Sequence, residues 1–344
     1  MKFKAAVLEK TKRPLKIIKF SKKEPGYRQV LVKVLYSSVC GSQIFEKDGM
    51  RGKDKWLPHF LGHEGVGSVV STGRNSKKFK VGEKVIITWI GNNGIGSKQK
   101  IFYKKKSKIY NAGPCTTFSE LTIVDENKLI KLPKKILLKH ASLFGCAFPT
   151  GMGMVKNVLK PLKNKLFILV GLGGVGISSL FAIKSYKPKK IIVIDCDKKK
   201  KKLAISIGAD FFLSPYEKNL NDIIFKHTAG KMGDYCIESS GNIISLQNSL
   251  KFINSKGTLV FASHPKNNDK VKINPHELIK GKKIFGSWGG NTNFKRDLNF
   301  YVSIYLKHLR YIKKFFNKTY KLNKINSAFS DLKKHKTLRP IIKF

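Results

Sequence analysis

The sequence predicts an α/β protein with a β-rich part and a doubly wound parallel sheet of six strands, and three observations carry the prediction. From Lys2 to about Pro133 the chain reads as short β-rich runs, KAAVLE, QVLVKVLY, EGVGSVVSTG, EKVIITWI and SELTIVDENKLIKLP, broken by glycine and polar turns. From about residue 148 to 288, wholly apolar strands such as LFILVG and KKIIVIDCD alternate with helices such as GVGISSLFAIKSY and IISLQNSLKFI, the pattern of a sheet covered on both faces. The third observation is LVGLGGVG, a glycine turn joining the first of these strands to its helix.

The remaining elements follow in order. GNNGIGSKQKIFYKKKSKIYNAGP, residues 91 to 114, has no clear period and predicts an exposed loop with little structure of its own. A helix begins near Leu138. Beyond the sixth strand, YVSIYLKHLRYIKKFF is an amphipathic helix, followed by KINSAFSDLKKH and a strand-like LRPIIKF that return to the first part. At 344 residues the chain is long enough for two domains.

Five cysteines (Cys40, Cys115, Cys146, Cys196 and Cys236) lie scattered without CxxC spacing, which argues against a secreted disulfide framework and for reduced thiols in a cytoplasm. No apolar run approaches the roughly 18 residues of a membrane span, so neither a membrane nor a signal segment is expected. The formal net charge is +48. Lysine is spread over every segment, and only seven arginines are present for bidentate phosphate or guanine contacts. This is the pattern of a lysine-biased proteome, and no specific nucleic-acid partner is expected. The run KKKKK at 198 to 202 reads as a solvated helix surface.

LVGLGGVG places Gly171, Gly173 and Gly176 in G-x-G-x-x-G spacing, with Gly174 and Val175 between them. Glycine permits the tight turn and close backbone approach, and the following helix offers free N–H groups to a pyrophosphate. Asp195 ends the next strand, where a carboxylate can bond the adenosine ribose hydroxyls and repel a 2′-phosphate, favouring NAD. Lys200, five residues on, can reach the same ribose or simply face solvent.

Cys40 follows a β run on a polar turn, and alone it could be a ligand, a nucleophile or a packing residue. Together with His63 and Glu64 in LGHEGVG and Cys146 in LFGCAFPTG, it gives two thiols, an imidazole and a carboxylate, a set suited to tetrahedral zinc. The ordered series KAAVLE, VCGS, GHEGVGSVV, GEKV, TTFSELTIV, GCAFPTG, GLGGVG, GSWGG and LRPII resembles, over essentially the whole chain, the zinc-dependent alcohol dehydrogenases of the medium-chain dehydrogenase/reductase superfamily, in particular their class III-like bacterial branch.

That resemblance implies a GroES-like catalytic domain from residues 1–147 and 289–344, with a Rossmann NAD-binding domain, 148–288, inserted between them. It implies Cys40, His63 and Cys146 as zinc ligands, with Glu64 alternating with water as the fourth. Thr150 matches the position touching the nicotinamide, Arg339 the arginine contacting the pyrophosphate, and Trp89 an aromatic wall of the substrate pocket. The activity implied is reversible hydride transfer between an alcohol, or an aldehyde or ketone, and NAD through a zinc-bound alkoxide, with Ser42 taking the alcohol proton. A small alcohol, aldehyde or polyol-type substrate and a homodimer are also implied.

Three departures stand out. The segment after GEKV has no cysteine before Cys115, so a second, structural zinc is not expected, and Cys115, Cys196 and Cys236 read as packing residues. Phe45 stands where some relatives continue the proton relay with a histidine. Gln43 stands where relatives usually have an aspartate supporting the zinc-bound histidine. These departures keep open a non-catalytic NAD-binding protein on the same fold.

Overall fold

The computed structural model describes residues 1–91, 96–97, 100–316 and 318–344. The chain forms two compact units: Met1–Cys146 with Asn293–Leu298 and Ile312–Phe344, and Ala147–Thr292 with Asn299–Tyr311.

The first unit is built on two sheets. In one, strands Lys16–Ser21, Lys2–Leu8, His59–Phe60, Lys108–Asn111 and Phe102–Lys105 lie in that order. In the other, Gln29–Ser38 is central, flanked by Glu64–Thr72, by Ile341–Lys343 from the far end of the chain, and by Leu121–Asp125. The alternation read in QVLVKVLY is real: Val30, Val32 and Val34 face one core with Val69, Val85 and Val124, while Leu31 joins another.

The segment expected to be an unstructured loop contains a hairpin, Phe102–Lys105 against Lys108–Asn111. Lysines mask its pattern, because only Ile101, Tyr103, Tyr110 and Ala112 point inward. Tyr103 stacks on Phe60 at 5.4 Å and 11°, and both pack on Phe20. Residues 92–95 and 98–99 of the same segment lie outside the described residues.

The second unit holds the six-stranded parallel sheet. Its order is Phe211–Leu213, Lys190–Ile194, Leu166–Val170, Gly233–Glu238, Ile253–Phe261, Lys283–Gly286, which is the 3-2-1-4-5-6 arrangement of a Rossmann fold. Residues 299–311 differ from the sequence boundaries and group with this unit. Tyr301 and Tyr305 are fully buried there, with Tyr305 against Phe148, and His308 stacks on Phe181 at 4.5 Å. Cys236 is buried in its strand as expected, whereas Cys196 lies beyond the end of Lys190–Ile194 and is exposed. Among the described residues no helix is long and apolar enough to cross a membrane.

Tyr103→Ala should cost about 3–5 kcal/mol, the range for emptying a buried aromatic site, in urea unfolding. Acid stability has a separate source. Burial, aided by Lys139 and Lys313, pushes His140 down to about 4. In the unfolded chain this group takes up its proton first as pH falls, so its contribution is present above the ordinary histidine range and drains away toward the folded value. His140→Phe, which keeps the ring stack on Phe316, should therefore remove about 2 kcal/mol of the stability lost between about pH 7 and about pH 5, measured by urea titration at both values.

Candidate metal and dinucleotide sites

The strand Gln29–Ser38 ends just before Cys40, which caps the short helix Gly41–Lys47. A backbone bond from the Gln43 N–H to the Cys40 carbonyl and a second from the Cys40 N–H to Gln43 Oε1, 2.9 Å, fix this turn. His63 precedes the strand Glu64–Thr72. Its approach is set by Gly62 at φ +93°, where an added Cβ would lie 2.5 Å from the Phe118 nitrogen. Ser37 and Thr117 hydroxyls both donate to the Glu64 carbonyl, at 2.9 and 3.1 Å.

Cys146 arrives from the other side. Gly145 packs so closely that a Cβ would lie 2.4 Å from the Ile87 carbonyl oxygen, and Thr88 Oγ1 donates to the Gly145 carbonyl at 2.7 Å. The result is that the ligand atoms of Cys40, His63 and Cys146 all lie within 4.8 Å of one another. Both thiols are buried, and His63 Nε2 is buried without a hydrogen-bond partner.

Cys40 is the thiol that ionises. It accepts a hydrogen bond from Cys146 and feels the charges of Arg339 and His63, which hold it well below the ordinary thiol range despite burial. Cys146, donating to that sulfur, is pushed well above it. Glu64 is fully buried and its carboxylate is turned to the Arg339 guanidinium, so it stands beside the three-donor group without being part of it. Burial raises Glu64, with Arg339 opposing. For Arg339 burial disfavours the charge, but Cys40, Glu64 and Cys146 outweigh it and the guanidinium stays protonated.

In the second unit, Gly171 turns at φ +86° against the Ser240 backbone, and a Cβ on Gly176 would collide with the Gly171 carbonyl oxygen. A Cβ on Gly173, by contrast, would meet nothing within 4 Å. Gly173 caps the helix Gly174–Lys184, so the turn leaves open space at a helix N-terminus, where an anion is favoured. Asp195 accepts from the Leu172 N–H at 2.5 Å and the Asp197 N–H at 2.8 Å, and Lys200 Nζ lies 3.0 Å from it.

The alcohol dehydrogenase GroES-like domain family matches residues 26–134, and the zinc-binding dehydrogenase family matches residues 174–303. The chain belongs to the zinc-dependent alcohol dehydrogenases. Curated relatives include alcohol dehydrogenase 2 of Oryza sativa subsp. japonica, 26% identical over 371 residues and covering 100% of this chain and 97% of the relative. An S-(hydroxymethyl)glutathione dehydrogenase of Escherichia coli is 28% identical over 372 residues and covers 100% of both. The crystal structure of an alcohol dehydrogenase zinc-binding domain protein from Burkholderia ambifaria superposes with a TM-score of 0.87 at 25% identity, covering 100% of this chain and 99% of that one. That of benzyl alcohol dehydrogenase from Acinetobacter calcoaceticus gives 0.88 at 24%, with the same coverage.

The residues of the dehydrogenase fit both groups that the family uses. Two buried sulfurs and a buried imidazole nitrogen without a partner are the donor chemistry of zinc, and the open glycine turn is the cradle a dinucleotide needs. Trp89 lies edge-on to His63, ring centroids 6.5 Å apart. Ser42 is half-buried in the first turn of the helix that Cys40 caps, two residues from that thiol, and Phe45 is half-buried on the same helix. Thr150 belongs to the second unit, buried with Oγ1 unpartnered.

Sequence reasoning passed over Ser37, Thr117 and Gly145. The only signal for Gly145 was its place before Cys146, and the hydroxyl pair has no signature short of the strand register. Arg339→Met should destabilise the protein by about 3–5 kcal/mol, because it removes the guanidinium that compensates the buried Glu64 carboxylate. The double variant with Glu64→Gln should recover part of that loss in the same chemical denaturation measurement.

Proposed function

We propose that this NAD-dependent alcohol dehydrogenase holds one zinc on Cys40, His63 and Cys146, with no second, structural zinc, and transfers hydride reversibly between an alcohol carbon and the nicotinamide. The convergence of those three buried donors within 4.8 Å carries the reading. The cysteine-free segment from Gly91 to Pro114 supports the single site.

Zinc, when bound, supplies a Lewis acid that eases loss of the alcohol proton near neutral pH. The chain does the rest. As thiolates, Cys40 and Cys146 would match the charge of a divalent cation, and Glu64, paired with Arg339, would stand beside them as the carboxylate able to alternate with water as a fourth ligand. Ser42 takes the alcohol proton on its hydroxyl, and with Phe45 offering no ring nitrogen the proton continues through water or a cofactor hydroxyl. The turn at Gly171, Gly173, Gly174, Val175 and Gly176 cradles the pyrophosphate. Asp195 and Lys200 hold the adenosine ribose, and Thr150 orders the nicotinamide. Arg339 serves the pyrophosphate only if it loosens from Glu64. Trp89 forms a wall for the substrate carbon.

Substrates are small alcohols, polyols among them, and the matching aldehydes or ketones, turned over by a homodimer in the cytoplasm. The residue ranges 1–147 with 289–344 are proposed as the catalytic domain and 148–288 as the NAD-binding domain, although residues 299–311 pack with the latter.

Metal analysis of purified protein should give about one zinc per chain, and Cys146→Ser should lose both the metal and NAD reduction on an alcohol panel. Two tightly held zincs, or a Cys146→Ser protein with full turnover, would sink the one-site reading.

A further inference from the structure

We propose that the substrate carries a second hydroxyl, so that this enzyme prefers diols or polyols to simple alkanols, and that Glu46 is the residue that holds the second hydroxyl. The inference rests on the alcohol dehydrogenase reading above.

A cavity of about 440 Å³ lies within the first unit; its wall includes His63 of the three-donor group, while Ser42 and Trp89 stand outside it, so it would take the part of the substrate remote from the reacting carbon. Gln43 and Glu46 line the same cavity. They are three residues apart on the helix Gly41–Lys47 and so share a face. The Glu46 side chain is 26% exposed, and among the described residues no donor hydrogen-bonds its carboxylate. It makes longer ion pairs with Arg51 Nη1 at 3.6 Å and His59 Nε2 at 4.0 Å, both beyond hydrogen-bond reach. His59 is already engaged, donating from Nδ1 to the Phe60 carbonyl at 2.8 Å and meeting Asp54 Oδ2 through Nε2 at 2.8 Å.

The amide of Gln43 cannot be turned to fill the gap. The Cys40 N–H requires Oε1 as its acceptor, which leaves Nε2 buried in the wall with no partner. The accessible polar group that this wall offers is therefore the Glu46 carboxylate, an acceptor, and a hydroxyl is a small neutral group that donates to it. Phe60, Leu61, Ile101 and Pro114 make other parts of the wall apolar, suited to the carbon chain. An ammonium in place of the hydroxyl is disfavoured. Lys100 shares the wall, Arg51 stands beside Glu46, and the chain carries a net charge of +48.

Steady-state NAD reduction on butanol, butanediol and butanetriol tests this with the zinc-loaded wild type and with Glu46→Leu and Glu46→Asp. The wild type should show kcat/KM at least about tenfold higher for the polyhydroxylated substrates, carried mainly by KM, as expected for a hydrogen bond to a charged group. In Glu46→Leu the ratio between butanediol and butanol should collapse toward one, and Glu46→Asp should restore part of it. Equal efficiency on butanol in the wild type, or a KM rise of the same size for all three substrates in Glu46→Leu, would overturn the assignment while leaving the dehydrogenase reading intact. If none of the three is oxidised, the dehydrogenase reading falls and this inference falls with it.

Discussion

The structure of the first unit depends on one buried ion pair, Glu64 with Arg339, joining residues 275 apart in the chain. A lone buried carboxylate costs several kcal/mol, and the guanidinium offsets that cost while also facing Cys40 and Cys146. Its consequence is topological as well as electrostatic. Arg339 precedes the strand Ile341–Lys343, which pairs with Gln29–Ser38, the strand that delivers Cys40. The strand that ends the sequence is thus tied to the three-donor group, and the carbonyl of the same Glu64 is tied to Ser37 and Thr117.

Charge balance follows from the pair. With Glu64 and Arg339 compensating each other, Cys40 and Cys146 would, once both are deprotonated, match the charge of a divalent cation, and the His63 imidazole would add a neutral donor. A third uncompensated anion in so dry a site would raise all the others, which is the direction already seen for Cys146 beside ionised Cys40. The aromatic cluster does the mechanical part. Phe60 lies three residues before His63 and is packed between Tyr103 and Phe20, so a hairpin without metal or disulfide braces the strand that leads to the imidazole.

Much of this was legible in the sequence because it is written in local pattern. The apolar strands from Leu166 onward, the glycine turn and Asp195 are contiguous or regularly spaced, and the three converging donors, Cys40, His63 and Cys146, sit in recognisable fragments. The hairpin at 102–111 was not legible, since its period-two signal is four residues long and buried in lysines. Cys196 looked like a strand residue because it follows the apolar run IIVI by a single residue, but the hydrogen-bonded strand stops at Ile194. The engagement of Arg339 with Glu64 was invisible for a different reason: sequence places each residue in its own motif, and only the fold brings the two together.

Gln43 shows how a single substitution redistributes work in such a site. A metal-bound histidine ordinarily donates its second N–H to an acceptor, which fixes ring orientation and basicity. The acceptor oxygen of Gln43 is spent on the Cys40 N–H, and among the described residues no hydrogen bond links Gln43 to His63. A carboxylate there has two oxygens and could serve the turn and the ring together, whereas an amide has one oxygen and a nitrogen that only donates. The glutamine therefore favours the thiol side of the site, where it rigidifies the Cys40 turn. The orientation of His63 is left to backbone geometry at Gly62 and to the edge of Trp89.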